Sequence, residues 1–251
     1  MHLYLLFAFF LLSFNAFSQE DSTLGLTPKM LGEVMLYQNV VSNEGSEDTL
    51  RIDSLIRFEK ITEATFEELK KQSIEFIKID STNFKKQGDT LFLKFAESDT
   101  LLIDDPEEME DGMKVHRYRG EIPALNQYLI SRNFYESSDC ALIDKTTGKT
   151  SKILLGDPFI SLDTTYLLDL VGDHYDQTSD LCLFKIEEDS LTFLFSTIYL
   201  HWMPNSFLEN IYWVSDSTFI LKVTPSKTYW TEEGFYNKRY ECIKGIILKN
   251  D

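Results

Sequence analysis

Residues 113 to 250 repeat one arrangement three times: a short strand, a tight turn, a second strand, a longer polar loop, a third strand and, in two or three cases, a fourth. In the first unit VHRYRG is followed by QYLISRNF, CALID, the turn 145–148 and KILL. The second runs PFIS, the turn 162–165, YLLDLV, the loop 172–180, LCLFKI, the turn 187–190 and LTFLFS. The third runs IYWVS, Asp216-Ser217, TFILKV, a long loop and YECIKGIIL. Runs rich in β-branched and aromatic residues, bounded by turn residues, are the signature of antiparallel strands. A unit of about 40 residues with four short strands is one small sheet, and a small sheet with two apolar faces cannot bury both alone, so neighbours stack. The pattern predicts a mainly β chain of antiparallel four-stranded repeats, an open or incomplete β-propeller. Three units fall short of the roughly four to eight that close a ring.

Upstream, the stretch 19–112 predicts a smaller α+β region. IEFIKI, LFLKF and LLID, joined by turns at Gln87-Gly88-Asp89 and Ser98-Asp99, read as strands and offer a fourth, degenerate unit. The apolar segments 34–41 and 50–58 read as a loose hairpin about the polar stretch 42–49. One helix is predicted near 62–72. Thr62 is its N-cap, Ile61 and Phe66 can form a hydrophobic staple, and Glu63, Glu67 and Glu68 sit where the helix dipole favours anions.

Residues 1–18 hold no charged side chain, and Leu3 to Phe14 form an apolar run of about a dozen, the size of a signal-peptide core and short of the roughly 20 that span a bilayer. Ala16-Phe17-Ser18 places small residues where a signal peptidase reads. The chain is therefore expected to be exported, periplasmic or extracellular, with no transmembrane segment after cleavage. Its 24 Lys and Arg against 41 Asp and Glu give a formal charge of −17. That field repels phosphate backbones and anionic headgroups, which argues against nucleic acid and peripheral membrane as partners.

Cys140, Cys182 and Cys242 form no C-x-x-C pair, so no zinc ribbon or thioredoxin motif is present. Each lies in an apolar run. Buried free thiols are the first reading and a single disulfide the second.

The stretch NQYLISRNFYESSDCALIDKTTGKTSKILLGDPFISLDTTYLL, with HWMP and YWVSDSTFILKV after it, resembles a family of uncharacterised exported bacterial proteins with degenerate TolB-like β repeats. Within it, FISLDTTYLL is similar to the Ser-Pro-Asp-Gly strand turn of TolB-like propeller blades, with Leu162 in place of the Pro and Thr164 in place of the Gly. The resemblance implies a propeller-like fold and export; it carries no activity and no catalytic motif.

Candidate sites are few. His116 alternates with Val115 and Arg117 on a strand, as a surface or edge residue would. His174 sits in an Asp-rich loop, and His201 precedes Trp202-Met203-Pro204. Two acidic clusters, Asp104, Asp105, Glu107, Glu108, Glu110 and Asp111, and Asp169, Asp173, Asp176 and Asp180, have the oxygen-rich chemistry Ca²⁺ takes but not the EF-hand spacing. Asp173, Asp176 and Asp180 are the better metal candidates. Aromatic residues make up 14% of the chain and gather at Tyr199, Trp202, Phe207, Tyr212, Trp213, Tyr229 and Trp230. Large rings fill gaps between stacked sheets and also carry binding surfaces. Three functions stay open. The first is a non-catalytic exported binding module for a protein or polymer of the cell envelope, using Tyr135, His174, Trp202, Trp230 and Tyr236. The second is an envelope hydrolase with His174 or His201 as base and Asp173 or Asp176 beside it. The third is a Ca²⁺-stabilised structural protein.

Overall fold

The computed structural model describes residues 25–39, 55–79, 82, 84–97, 99–105, 113–188, 190–205 and 211–248. The apolar leader at 1–18, the polar stretch 42–49, Phe207, and Glu107, Glu108, Glu110 and Asp111 lie outside the described residues.

A short helix, α1 (Pro28–Gly32), is capped by Thr27, whose hydroxyl accepts the Met30 N–H at 3.3 Å. Two strands follow, β1 (Val34–Asn39) and β2 (Ile56–Ile61), and they do not pair as a hairpin. β1 lies antiparallel to β13 (Ser190–Tyr199), while β2 lies antiparallel to β17 (Glu241–Ile247). Each covers the open edge of a sheet formed by later residues, where unpaired backbone groups would otherwise face water. The helix α2 (Glu63–Lys70) forms where expected: Thr62 accepts the Thr65 N–H at 3.1 Å, and Ile61 and Phe66 share one apolar cluster.

Among the described residues, four antiparallel sheets follow one another along the chain. The first is β3 (Phe84–Gln87), β4 (Thr90–Lys94) and β5 (Asp99–Ile103). The second is the meander β6 (Val115–Ile122), β7 (Gln127–Asn133), β8 (Ser138–Asp144) and β9 (Thr150–Leu154). The third is β10 (Pro158–Ile160), β11 (Tyr166–Asp173), β12 (Thr178–Glu187) and β13, with β1 at its edge. The fourth holds β14 (Trp202–Pro204), β15 (Ile211–Trp213), β16 (Thr218–Pro225) and β17, with β2 at its edge. The run IEFIKI, read as a strand, makes only the bridge Lys78 to Glu121. That bridge is possible because Gly120 bulges with φ 144°; a Cβ there would lie 2.8 Å from the Lys78 carbonyl oxygen.

Period-two alternation sends neighbouring residues to opposite faces, and the cores record it. Leu91 and Leu93 of the first sheet pack on Tyr128, Ile130, Ala141 and Ile143 of the second. From the other face of that sheet, Leu129, Cys140, Leu142 and Leu154 meet Ile160, Leu167 and Phe184 of the third. The third sheet turns Leu168, Leu170, Leu181, Leu183 and Phe195 toward Trp213, Phe219, Leu221, Val223 and Ile243 of the fourth. Phe66 of α2 then covers Val214, Ile220 and Cys242 on the far face of the fourth sheet. Burial on both faces explains why the central strands read as nearly continuous apolar runs. Among the described residues, no apolar cluster joins the first sheet to the fourth.

Two further details fix the stack. The ring of Phe219 lies over Gly245, where a Cβ would approach it to 2.3 Å. The Trp213 indole donates to the Phe159 carbonyl at 2.9 Å, joining the third and fourth sheets. His116, expected at a surface or edge, is buried. Its Nδ1 lies 3.1 Å from Asp104 Oδ1, which also accepts the His116 backbone N–H at 2.8 Å, while Lys86 pairs with the other oxygen. Burial holds the imidazole below its ordinary pKa. For Asp104 burial acts upward, but the bonds from Lys86 and His116 outweigh it and hold the carboxyl low.

A candidate binding cleft

A cleft of about 1960 Å³ opens between the second and third sheets, with residues of the segment 73–79 and of the fourth sheet at 204–205 and 211–213 completing its walls. Register explains its place. On β7 the residues that alternate with Leu129 toward the third sheet are Ser131 and Asn133, opposite Cys140 and Ser138 on β8. On β11 they run Leu167, Asp169, Val171, Asp173, opposite Phe184, Cys182, Asp180 and Thr178 on β12. Both faces therefore pass from apolar to polar toward the β7–β8 and β11–β12 turns. The sheets share a dry core at one end, and at the other the polar side chains line the cleft.

At the junction sits Asp169, almost fully buried. Its carboxylate accepts the N–H groups of Leu155 at 2.6 Å and Gly156 at 3.0 Å, fixing the link from the second sheet to the third. Burial pushes its pKa up to about 6 in spite of those two bonds. Cys140 Sγ lies 3.5 Å from Asp157 Oδ1. All three cysteines are free thiols. Burial pushes Cys182 up to about 12 and Cys242 up to about 11, and Cys140 is raised as well, so all three stay protonated and unreactive at neutral pH.

The rim is aromatic. Tyr135, 58% exposed, stands in the β7–β8 turn, and Tyr175, 83% exposed, in the β11–β12 turn beside His174. Asp173 braces the latter turn by accepting the N–H groups of Tyr175 at 2.8 Å and Asp176 at 3.0 Å. The walls carry Glu75, Glu136, Asp139, Asp157, Asp173 and Asp180. Among the described lining residues the guanidinium of Arg119 opposes them, and it is paired with Asp157 at 2.5 Å.

His174 also belongs to a second aromatic group. Its Nδ1 lies 2.8 Å from the Tyr229 hydroxyl, and its ring lies 5.6 Å from those of both Tyr229 and Tyr236. Trp230 stacks on Tyr236 at 4.7 Å. Sequence reading leaves this stretch a long loop; it folds back on itself. The Thr231 N–H donates to the Phe235 carbonyl at 2.7 Å, Trp230 bridges to Tyr236, and Gly234 turns the chain at φ 78°. Phe235 is left at the tip, 71% exposed.

Of the residues singled out in the sequence, His174, Trp230 and Tyr236 come together, and Tyr135 stands with His174 on the same cleft. Trp202 does not join them and is corrected to a core residue. It is fully buried, stacks on Tyr199 at 4.9 Å, meets Phe58 edge-on and donates its indole N–H to the Leu31 carbonyl at 3.2 Å. A β-strand between two sheets left its side chain no route to the surface. His201 Nε2 lies 3.2 Å from the Glu33 carboxylate and does not line the cleft that His174 lines. Among the described residues no three His, Cys, Asp or Glu side chains are grouped to hold a metal ion, Asp173, Asp176 and Asp180 included. The residues that sequence reading missed are Tyr175 and Asn133. The strand register alone puts Asn133 at the polar end of its face.

Among the described residues no helix is long and apolar enough to cross a membrane. Comparisons with protein-family models, curated proteins and solved structures give no match for this chain.

Proposed function

We propose that this chain is a non-catalytic, exported binding protein of the bacterial cell envelope, and that its ligand lies across the cleft between the second and third sheets. Export rests on the leader at 1–18. The stack of small sheets in chain order supports an open, propeller-like scaffold whose turns are presented at one end. One observation carries the reading: the exposed rings of Tyr135 and Tyr175, from two separate turns, stand on one cleft, and His174 beside Tyr175 ties that cleft to the neighbouring group Tyr229, Trp230 and Tyr236. Exposed rings held by a rigid scaffold supply contact area at low entropic cost, and loops on such a scaffold are where binding residues concentrate.

The test is binding by the purified protein to three defined classes: peptidoglycan fragments, neutral oligosaccharides and synthetic peptides. At least one class should bind, and Tyr135→Ala or Tyr175→Ala should weaken it about tenfold, a loss of about 1.4 kcal/mol, without lowering the melting temperature. Failure of all three classes, or binding indifferent to both substitutions, overturns the proposal.

A further inference from the structure

The cleft walls say what kind of ligand they suit. We propose, building on the binding role above, that the cleft takes an extended segment of basic polypeptide, with a lysine ammonium seated against Asp180 and a backbone carbonyl against Asn133.

Three observations converge. The described lining carries six carboxylates, of which Asp157 is paired with Arg119 and Asp139 with Arg132, leaving Glu75, Glu136, Asp173 and Asp180 without a salt bridge among the described residues. Asp180 lies close enough to Asp173 and Asp176 to feel both charges, and its Oδ1 is buried with no hydrogen-bond donor among the described residues. Burial first, and those neighbouring carboxylates after it, raise its pKa; an arriving cation relieves both penalties at once. Opposite, on the facing sheet, Asn133 Nδ2 is likewise buried without an acceptor among the described residues. Both residues line the cleft, and the two atoms sit just beneath its surface, one an unmet anionic acceptor and the other an unmet neutral donor. A peptide supplies both partners, an ammonium and a carbonyl. A simple polyamine lacks the carbonyl, and a neutral glycan leaves the carboxylates unrelieved. The exposed rings of Tyr135 and Tyr175 suit lysine, whose stem packs on apolar surface and whose head is drawn to a ring face.

The experiment is fluorescence anisotropy with labelled hexalysine amide on the full protein, run beside a labelled neutral N-acetylglucosamine hexamer. Hexalysine should bind, and Asp180→Asn and Tyr175→Ala should each weaken it about tenfold. Asp216→Asn removes one charge from an exposed turn that does not line the cleft and should leave binding within about twofold. Equal losses in Asp180→Asn and Asp216→Asn would trace binding to the net charge alone and overturn the inference. Binding of the glycan but not of hexalysine, with loss in Tyr175→Ala, would overturn it while leaving the binding role intact. If neither probe binds, the inference falls, and the peptidoglycan arm above then decides the broader role. Should Asp180→Asn misfold, Tyr175→Ala carries the comparison, since that ring lies at the surface.

Discussion

The Tyr229 hydroxyl and His174 Nδ1 lie 2.8 Å apart across 55 positions of sequence. This contact fastens the excursion between β16 and β17 to the β11–β12 turn. Ser226, whose hydroxyl donates to the Gln177 carbonyl at 2.5 Å, makes a second tie between the same two segments. His174→Ala removes one hydrogen bond, worth about 1 kcal/mol, and two ring contacts worth a similar amount together. The expected result is a melting temperature lower by a few degrees, with Trp230 emission shifted to the red as its support loosens. Tyr229→Phe, which keeps the ring, should lose only about half as much. Unchanged melting and emission in His174→Ala would show that the contact does not hold the excursion in place.

Trp202→Ala should be far more severe. The substitution opens a cavity among Phe58, Tyr199 and Phe195 and leaves the Leu31 carbonyl without its donor. Large-to-small changes of this kind cost about 3–5 kcal/mol. Denaturant unfolding monitored by circular dichroism should show a lower midpoint at unchanged slope. A loss below about 1 kcal/mol would contradict the core placement.

Asp169 sets a pH dependence of unusual sign for a carboxylate. Its folded pKa, about 6, lies above the ordinary value of 3.8, so between those two values the folded state binds the proton more tightly than the unfolded chain does. Stability from this group is therefore present at low pH and lost as pH rises through about 6. The shift of roughly two units corresponds to on the order of 3 kcal/mol. Carboxylates held low, such as Asp104, act in the opposite direction, so the informative quantity is a difference between proteins. The stability advantage of wild type over Asp169→Asn should be larger at pH 4.5 than at pH 7.5. Equal differences at the two pH values would mean that the carboxyl titrates normally.

Thr164 adopts φ 58° in the turn between β10 and β11, a conformation that costs a β-branched residue about 1–2 kcal/mol. Around it, Asp163 accepts the Thr165 N–H at 3.0 Å and the Ser161 hydroxyl at 2.8 Å, and the Tyr166 N–H donates to Ser161 Oγ, so the turn is held despite the strain. Thr164→Gly should raise stability by about 1 kcal/mol, read as an increased denaturant midpoint. A decrease would show that the Thr side chain contributes more than its backbone strain costs.

Most strands of the last three sheets were legible because each is a short apolar run closed by a turn, and the turns use residues with local reasons to bend; the three-residue β14 was not read as a strand. Asp144, for example, accepts the N–H groups of both Thr146 and Thr147. The helix α2 was legible from Thr62 and Phe66 for the same local reason. What was not legible depends on distant partners. Nothing in VMLYQN or IRFEKI names β13 or β17 as its neighbour, and the hairpin reading of those segments failed on that account. His116 and Trp202 were misplaced because one strand shows which residues share a face but not whether another layer covers that face. The cleft was half visible: the Asp-rich turn after β11 stood out, but its opposite wall at Asn133 belongs to a strand 47 positions before Asp180 and becomes its counterpart only when the sheets stack.

Amide chemical-shift mapping of the isotopically labelled protein, titrated with hexalysine amide, tests the central claim most directly. The cleft account predicts saturable shifts gathered at residues 133–139 and 171–180, with smaller ones at 229–236 relayed through His174. Shifts scattered over acidic surface residues at large, or collected on the outer face of the first sheet around Phe92 and Leu101, would contradict it.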